Sequence, residues 1–325
     1  MFRRAYGYAN RPWQVKNTPE TRFRIASVGK MFTAVAILQL IEAGKLTLES
    51  CVLELLGLEG TKIHPGATVY HLLTMTSGIA DWSNEESETF DADWAQFCRE
   101  NPLYLFRRDA DYLPVFAHLE PYGPLGEKHR YNGAGFMLLG LLIEKISGLS
   151  YFDYVVQHVF KPAGMNATQF LDLDAVVPQV AEGYIPVEDE NEKVTGWLKN
   201  YYVTTAGPAA DGGATSTLED MARFSEALRR GKLIAPDLVR QMTGPLVVEN
   251  DDNALGFLWR YGFGCFVLLS GAGETIRWGH TGEEEGVSCR LWHYPPQGVD
   301  VVILGNQSSC AGLISREIQQ LIWQL

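Results

Sequence analysis

Apolar positions along the chain fall into a few clear periodic runs. In FRIASVGKMFTAVAILQLIEAGKL, residues 23–46, Phe32, Val35, Ile37, Leu38, Leu40 and Ile41 lie on one broad helical face, and Gly44 follows the last of them as a left-handed cap would. The spacing predicts an amphipathic helix of about four to five turns with Ser27 and Lys30 in its first turn. A second helix is expected from Val69 to Ser77-Gly78, and a third from about Gly135 through Leu138, Leu142 and Ile146 to Ser147-Gly148. A fourth runs from Leu218 to Arg230 behind Thr217, a residue type that caps helix N-termini, with Asp220 in the first turn. The stretch from Ile79 to Arg130 is polar and aromatic with few periodic runs; it is long for a plain loop, and a binding-cleft border is the role it predicts.

Beyond about residue 255 the period changes. Tyr261–Leu269, Gly286–Tyr294 and Val299–Gly305 are rich in β-branched and aromatic residues between Gly, Pro and Gln-Gly turn signals, and read as successive antiparallel strands. Leu313–Trp323 reads as a last amphipathic helix. The expectation is a mainly helical middle and a sheet built from the C-terminal part plus any strand that the N-terminus supplies.

Composition narrows the function classes. A chain of 325 residues with 46% hydrophobic and 11% aromatic residues can bury a substantial core and lacks the signature of disorder. Its net charge of −12, with scattered basic residues, serves phosphate neutralisation poorly, so nucleic acid is not an expected partner. The five cysteines are odd in number and include no CxxC pair, which points to free thiols rather than a disulfide framework or a zinc site. No apolar run reaches membrane-spanning length, and the N-terminal MFRRAYGYANRPW has no apolar core of a signal peptide. No membrane insertion and a cytoplasmic location are the expectations.

Three short motifs carry candidate chemistry. Spacing i, i+3 stacks Ser27 and Lys30 on one helix face, so the amine can reach the hydroxyl and take its proton, while free N–H groups at the helix start favour developing negative charge. Tyr131 sits in HRYNGAGF, just ahead of the third helix. His280 sits in RWGHTG, at the start of a late strand and just ahead of Glu283, Glu284 and Glu285. Taken singly each has an ordinary explanation: a serine near a helix start, a half-buried tyrosine, a turn histidine, and glutamates pointing into solvent.

Their order changes the picture. Ser27-x-x-Lys30, then Tyr131, then His280-Thr281-Gly282 resembles the three-motif active site of the class C β-lactamase and penicillin-binding-protein-like serine hydrolases. HLLTMTSGI, GFMLLGLLIEKISG, KPAGMNAT, DGGATSTLEDMARF and VVILGNQS also resemble that family's framework, in its order, from about Gly7 to the C-terminal helix. The resemblance implies an α/β fold of the α+β, β-lactamase/transpeptidase-like type: an antiparallel sheet flanked by helices, plus a mainly helical lobe. It implies a single catalytic unit with the α/β lobe at about 1–24 and 255–325 and the helical lobe at about 25–254. Competing motifs are missing: no Gly-x-Ser-x-Gly elbow, His-Glu-x-x-His site, Walker loop or GxGxxG, and no metal or cofactor is asked for.

By similarity, Ser27 would attack a carbonyl to give an acyl-enzyme, Lys30 and Tyr131 would share the proton as a coupled unit, and the N–H groups of Ser27 and Glu283 would form the oxyanion hole. Catalytic roles are thus expected for Ser27, Lys30, Tyr131 and His280, and substrate-binding roles for Thr281, Gly282, Glu283 and Asn132. The chain departs from the family at several points. The usual Tyr-x-Asn reads Tyr131-Asn132-Gly133, so the side-chain amide is lost unless Asn132 turns inward. Histidine stands at position 280, where β-lactamases typically carry lysine; a weaker carboxylate anchor, it would titrate between about pH 5.5 and 7.5 if it takes part. The three glutamates disfavour a substrate carboxylate, pointing to a neutral or amine-bearing acyl group. The chain also begins late relative to the family, which leaves room for an upstream segment.

The reading is a serine hydrolase, esterase-like or D-amino-acid-peptidase-like, acting on a small-molecule or short-peptide acyl substrate. The alternatives are a D-alanyl-D-alanine carboxypeptidase or weak β-lactamase and, from another class, a non-catalytic scaffold on the same fold.

Overall fold

The computed structural model describes residues 2–251 and 256–324, so the expected lobe boundary near 254–255 lies outside the described residues. At the centre, strand β1 (Phe23–Arg24) leads through a 3-10 turn, Ala26–Gly29, into helix α1 (Lys30–Glu42). The sequence predicts an amphipathic α1; the structure buries it on almost every side, from Lys30 through Leu38 and again at Leu40. Its polar residues explain how this is tolerated: the Thr33 hydroxyl is within 2.7 Å of the Tyr151 hydroxyl and donates to the Ala210 carbonyl, so this buried hydroxyl is paired.

Helix α2 (Val69–Leu73) is shorter than the sequence pattern suggests, because the chain turns out at Thr74 and again at Gly78, whose φ is +65°. The 79–130 segment contains helix α3 (Phe90–Glu100), two 3-10 turns and the short helical turn Leu113–Phe116. Helix α4 (Gly133–Ser147) ends at Gly148, φ +74°, as its sequence predicts. Strands β2 (Gln169–Phe170) and β3 (Ala214–Ser216) complete a small sheet with β1 in the order β1-β3-β2. Helix α5 (Leu218–Arg229) has Thr217 as its N-cap, accepting from the Asp220 N–H at 3.2 Å.

The large sheet has six antiparallel strands in chain order: β4 (Val247–Asn250), β5 (Phe257–Tyr261), β6 (Phe266–Ser270), β7 (Thr275–Glu284), β8 (Val287–Tyr294) and β9 (Val299–Gly305). Two expectations are corrected here. The run Tyr261–Leu269 is not one strand but a hairpin, turned at Gly262–Cys265 with Gly264 at φ +66°. Among the described residues no N-terminal strand joins this sheet; residues Tyr8–Asn10 form their ladder with Val15–Lys16.

Alternation along β8 assigns the two faces of the sheet. Val287, Cys289 and Leu291 join the main core with α1 and α4, while Trp292 and Tyr294 pack with Ile318 and Ile322 of the terminal helix α6 (Cys310–Ile322). All five cysteines are free, Cys265 and Cys289 fully buried. Among the described residues no single helix is long and apolar enough to cross a membrane.

Candidate active site

Ser27 lies in the 3-10 turn ahead of α1, at the junction of the helical region and the large sheet. Ala26 is held at φ +46°, a left-handed conformation that costs a side-chain-bearing residue about 1–2 kcal/mol, and this sharp bend turns the Ser27 hydroxyl out of an otherwise buried stretch. Two glycines allow the bend to seat. A Cβ on Gly282 would fall 2.2 Å from the Ile25 carbonyl oxygen, and one on Gly212 would fall 2.8 Å from the Ala26 carbonyl. Strand β7 and the loop before β3 therefore close on the turn from both sides.

Lys30 Nζ donates to Ser27 Oγ at 3.0 Å and to the Asp211 carbonyl at 2.9 Å, so the amine is aimed rather than free to rotate. The Tyr131 phenol interacts with Ser27 as well, and its ring stacks parallel to Phe266 at 6.2 Å, with Lys30 Nζ 4.9 Å from the ring centre. Burial, reinforced by the Glu85 carboxylate, pushes the Tyr131 phenol well above its ordinary value. Two segments distant in sequence thus place Ser27, Lys30 and Tyr131 in one cluster.

Two sequence expectations are corrected by this geometry. His280 is fully buried and absent from the cavity lining: Tyr261 Oη is 3.1 Å from its Nε2, and its Nδ1 binds the Thr281 carbonyl. That bond fixes the proton on Nδ1, and Nε2 accepts from Tyr261. Burial first, then the Lys30 charge, pulls its pKa down to about 3, so the imidazole is neutral throughout the range where titration was expected. Its ring lies 6.2 Å from Tyr131 and 4.9 Å from Phe266, a packing role beside the cluster. Asn132 does not offer its amide to a substrate. The buried side chain accepts from the Gly135 N–H at 2.7 Å as the N-cap of α4 and donates to the Ile79 carbonyl at 3.1 Å.

Thr281 and Gly282 lie on β7 outside the cavity lining, whereas Glu283 borders the cavity. Pairing of β6 with β7 ends at Gly279, so the Gly282–Glu283 backbone has a strand neighbour on one side only and faces the Ser27 turn on the other.

The cavity, about 370 Å³, opens over Ser27 and is walled by the 79–130 segment through Trp82, Ser83, Glu85, Phe90, Trp94 and Tyr112. Its acidic lining differs from the one the sequence suggests. Glu283 pairs with Arg290 and accepts from Ser288, Glu284 lies 3.3 Å from Arg24, and Glu285 accepts from Ser308 at 3.0 Å. Of the carboxylates lining the cavity, Glu285, Asp211 and Glu85 have no ion-pair partner among the described residues, and sequence reasoning missed the last two. Burial raises both, with the Lys30 charge acting the other way. The Asp211-Gly-Gly run was visible, but nothing in its spacing ties it to Ser27. Asp81 was missed too: its carboxylate accepts from the Gly133 and Ala134 N–H groups at the start of α4, and burial raises it to about 7.

An antiparallel sheet packed on a helical lobe, with Ser-x-x-Lys at the start of the central helix and a tyrosine against both, defines the β-lactamase/transpeptidase class of fold. The chain belongs to the β-lactamase family, whose model, described as "Beta-lactamase", matches residues 1–313. It is similar to a penicillin-binding protein of Bacillus halodurans, with a TM-score of 0.89, 35% identity, 98% of this chain and 92% of that one covered. It is also 28% identical to penicillin-binding protein 4* of Bacillus subtilis and 26% identical to a D-aminopeptidase of Brucella ovis, over 94% and 96% of this chain. The chain spans 65% and 55% of the lengths of those two relatives.

Proposed function

We propose that the chain is a serine hydrolase that forms an acyl-enzyme on Ser27, with D-aminopeptidase-like or esterase-like activity on small acyl substrates. The observation that carries this reading is the 3.0 Å contact of Lys30 Nζ with Ser27 Oγ at the floor of an aromatic-walled cavity. In acylation, Ser27 Oγ bonds to the substrate carbonyl carbon while its proton passes to the Lys30–Tyr131 pair, which accepts it in the microstate that has already released one proton. The N–H groups of Ser27 and Glu283 stabilise the oxyanion. The bond to the amine or alcohol then breaks, and the leaving group departs with a proton from the pair. Tyr131, a neutral phenol at rest, is placed to donate it. Water attacks the ester in the second half and restores Ser27. His280 stays neutral beside Tyr131 and keeps the ring in place.

The test is turnover of p-nitrophenyl esters and D-amino-acid p-nitroanilides by wild type and Ser27→Ala. The reading expects a loss of about 10³-fold or more in the variant, and equal turnover would overturn it. Similarity to penicillin-binding proteins supports a second reading, acylation by β-lactams. Rapid hydrolysis of a chromogenic cephalosporin would favour it. The side-chain amide it would call on is spent on the α4 cap, and Gly133 supplies none.

A further inference from the structure

Gly133 occupies the third position of the tyrosine motif, and the space beside it is filled from elsewhere. A Cβ built on Gly133 would lie 2.8 Å from Asp211 Oδ2 and 3.1 Å from Trp82 Nε1. The Trp82 indole, beside the same space, favours the charged form of the Asp211 carboxylate. The Asp211 carbonyl meanwhile holds Lys30, and Gly212 packs against the Ser27 turn. Asp211 is therefore held by its backbone next to the nucleophile, and it lines the same cavity as Ser27.

An amide both donates and accepts hydrogen bonds; a carboxylate only accepts. What it asks of a ligand is a donor, and a cationic one most of all. Counting charge over the cavity gives the same answer. Glu283 and Glu284 are matched by Arg290 and Arg24, Glu285 is held by the Ser308 hydroxyl alone, and Lys30 faces two further carboxylates, Asp211 and Glu85, with Asp81 behind them as a cap for α4. With the lysine set against one of these two, the other is left without a cationic donor beside the nucleophile. A substrate carboxylate there would meet like charge, and an ammonium would complete the balance.

We infer that Asp211, seated in the space that Gly133 leaves open and assisted by Glu85 across the cavity, is the receptor for a free ammonium group on the acyl part of the substrate. This rests on the reading of Ser27 as the acylated residue and selects, within it, amino-acyl amides and esters over N-acylated ones. Asp211 is a specificity-determining residue: it holds the substrate by its amine while Ser27 attacks the adjacent carbonyl.

The experiment compares kcat/KM for D-alanine p-nitroanilide and its N-acetyl derivative, in wild type, Asp211→Asn and Glu85→Gln. The ratio of the two substrates within each protein is the readout, so a general loss of activity cancels. Wild type is expected to prefer the free amine by about 100-fold, the scale of a charge-assisted contact in a shielded cleft. In Asp211→Asn, which keeps an oxygen for the Trp82 indole, the ratio should fall about tenfold or more, mainly through KM of the free amine. Glu85→Gln should lower it less. A wild-type ratio near one, or an unchanged ratio in Asp211→Asn, would overturn the inference while leaving Ser27 acylation intact. If Asp211→Asn does not fold, the wild-type ratio and Glu85→Gln decide. Failure of wild type to form any acyl adduct on Ser27 would instead remove the underlying reading, and this inference with it.

Discussion

The Ser27 proton has two neighbours, and they are not equivalent. Lys30 donates to Ser27 Oγ along a line fixed by the Asp211 carbonyl, whereas Tyr131 is held as a neutral phenol by its surroundings. Tyr131→Phe keeps the ring stacked on Phe266 and removes only the hydroxyl, so kcat should drop about 10²–10⁴-fold with thermal stability little changed. Steady-state kinetics beside a melting curve separate the two effects. His280 calls for the opposite expectation. With a pKa of about 3 it has no proton to gain or lose between pH 5.5 and 7.5, so His280→Asn should not move any inflection of kcat/KM in that range. An inflection near pH 6.5 that disappears in the variant would show that the imidazole titrates in the working enzyme.

At the level of elements, the site depends on backbones approaching more closely than side chains allow. Gly212→Ala would drive a methyl into the Ala26 carbonyl, at 2.8 Å, and displace the turn that carries Ser27. Activity should fall about tenfold or more, a misplacement effect, with less change at the far end of the sheet; fluorophosphonate labelling rates against hydrogen exchange would check this. Much of this architecture was legible in the sequence. The ends of α4 and α5 follow from Gly148 and Thr217, and β8 and β9 from their β-branched runs. The α1 pattern misled only about burial: a helix enclosed by α4, the helix carrying Tyr151 and the sheet needs no polar face, and its few polar residues are paired individually. The hairpin at Gly262–Cys265 was missed because its flanks are equally strand-like and the turn is marked by glycines alone. In the site, Ser27, Lys30 and Tyr131 were readable from motif order, whereas Asp211 and Glu85 were not. Their proximity to Ser27 is made by the fold; of the more conspicuous glutamates, Glu283 and Glu284 are neutralised by arginines, and Glu285 is held by a serine hydroxyl, that the sequence does not place beside them.

For the whole molecule, several buried groups with shifted pKa values link stability to pH in opposing directions. His280, at about 3, and His129, at about 4, stay neutral when folded but take up a proton when unfolded below about pH 6.5. Their contribution is present above that pH and lost as pH falls through the folded values. Asp81 runs the other way. Raised by burial to about 7, it holds a proton in the folded state from which the unfolded chain parts near 3.8, so its contribution is present at low pH and lost as pH rises through 7. Asp81→Asn cannot ionise, so the stability difference, wild type minus variant, should decline from pH 4 to pH 8. Its limit is on the order of 4 kcal/mol. Urea unfolding of both proteins at several pH values reads this directly, and parallel curves would refute the assignment.

The whole account turns on Ser27 being an activated nucleophile. The most direct measurement is intact mass after incubation with a fluorophosphonate, wild type beside Ser27→Ala. A single adduct on wild type and none on the variant is the predicted result. No adduct on either protein, or an equal adduct on both, would contradict it and bring forward a non-catalytic use of the fold.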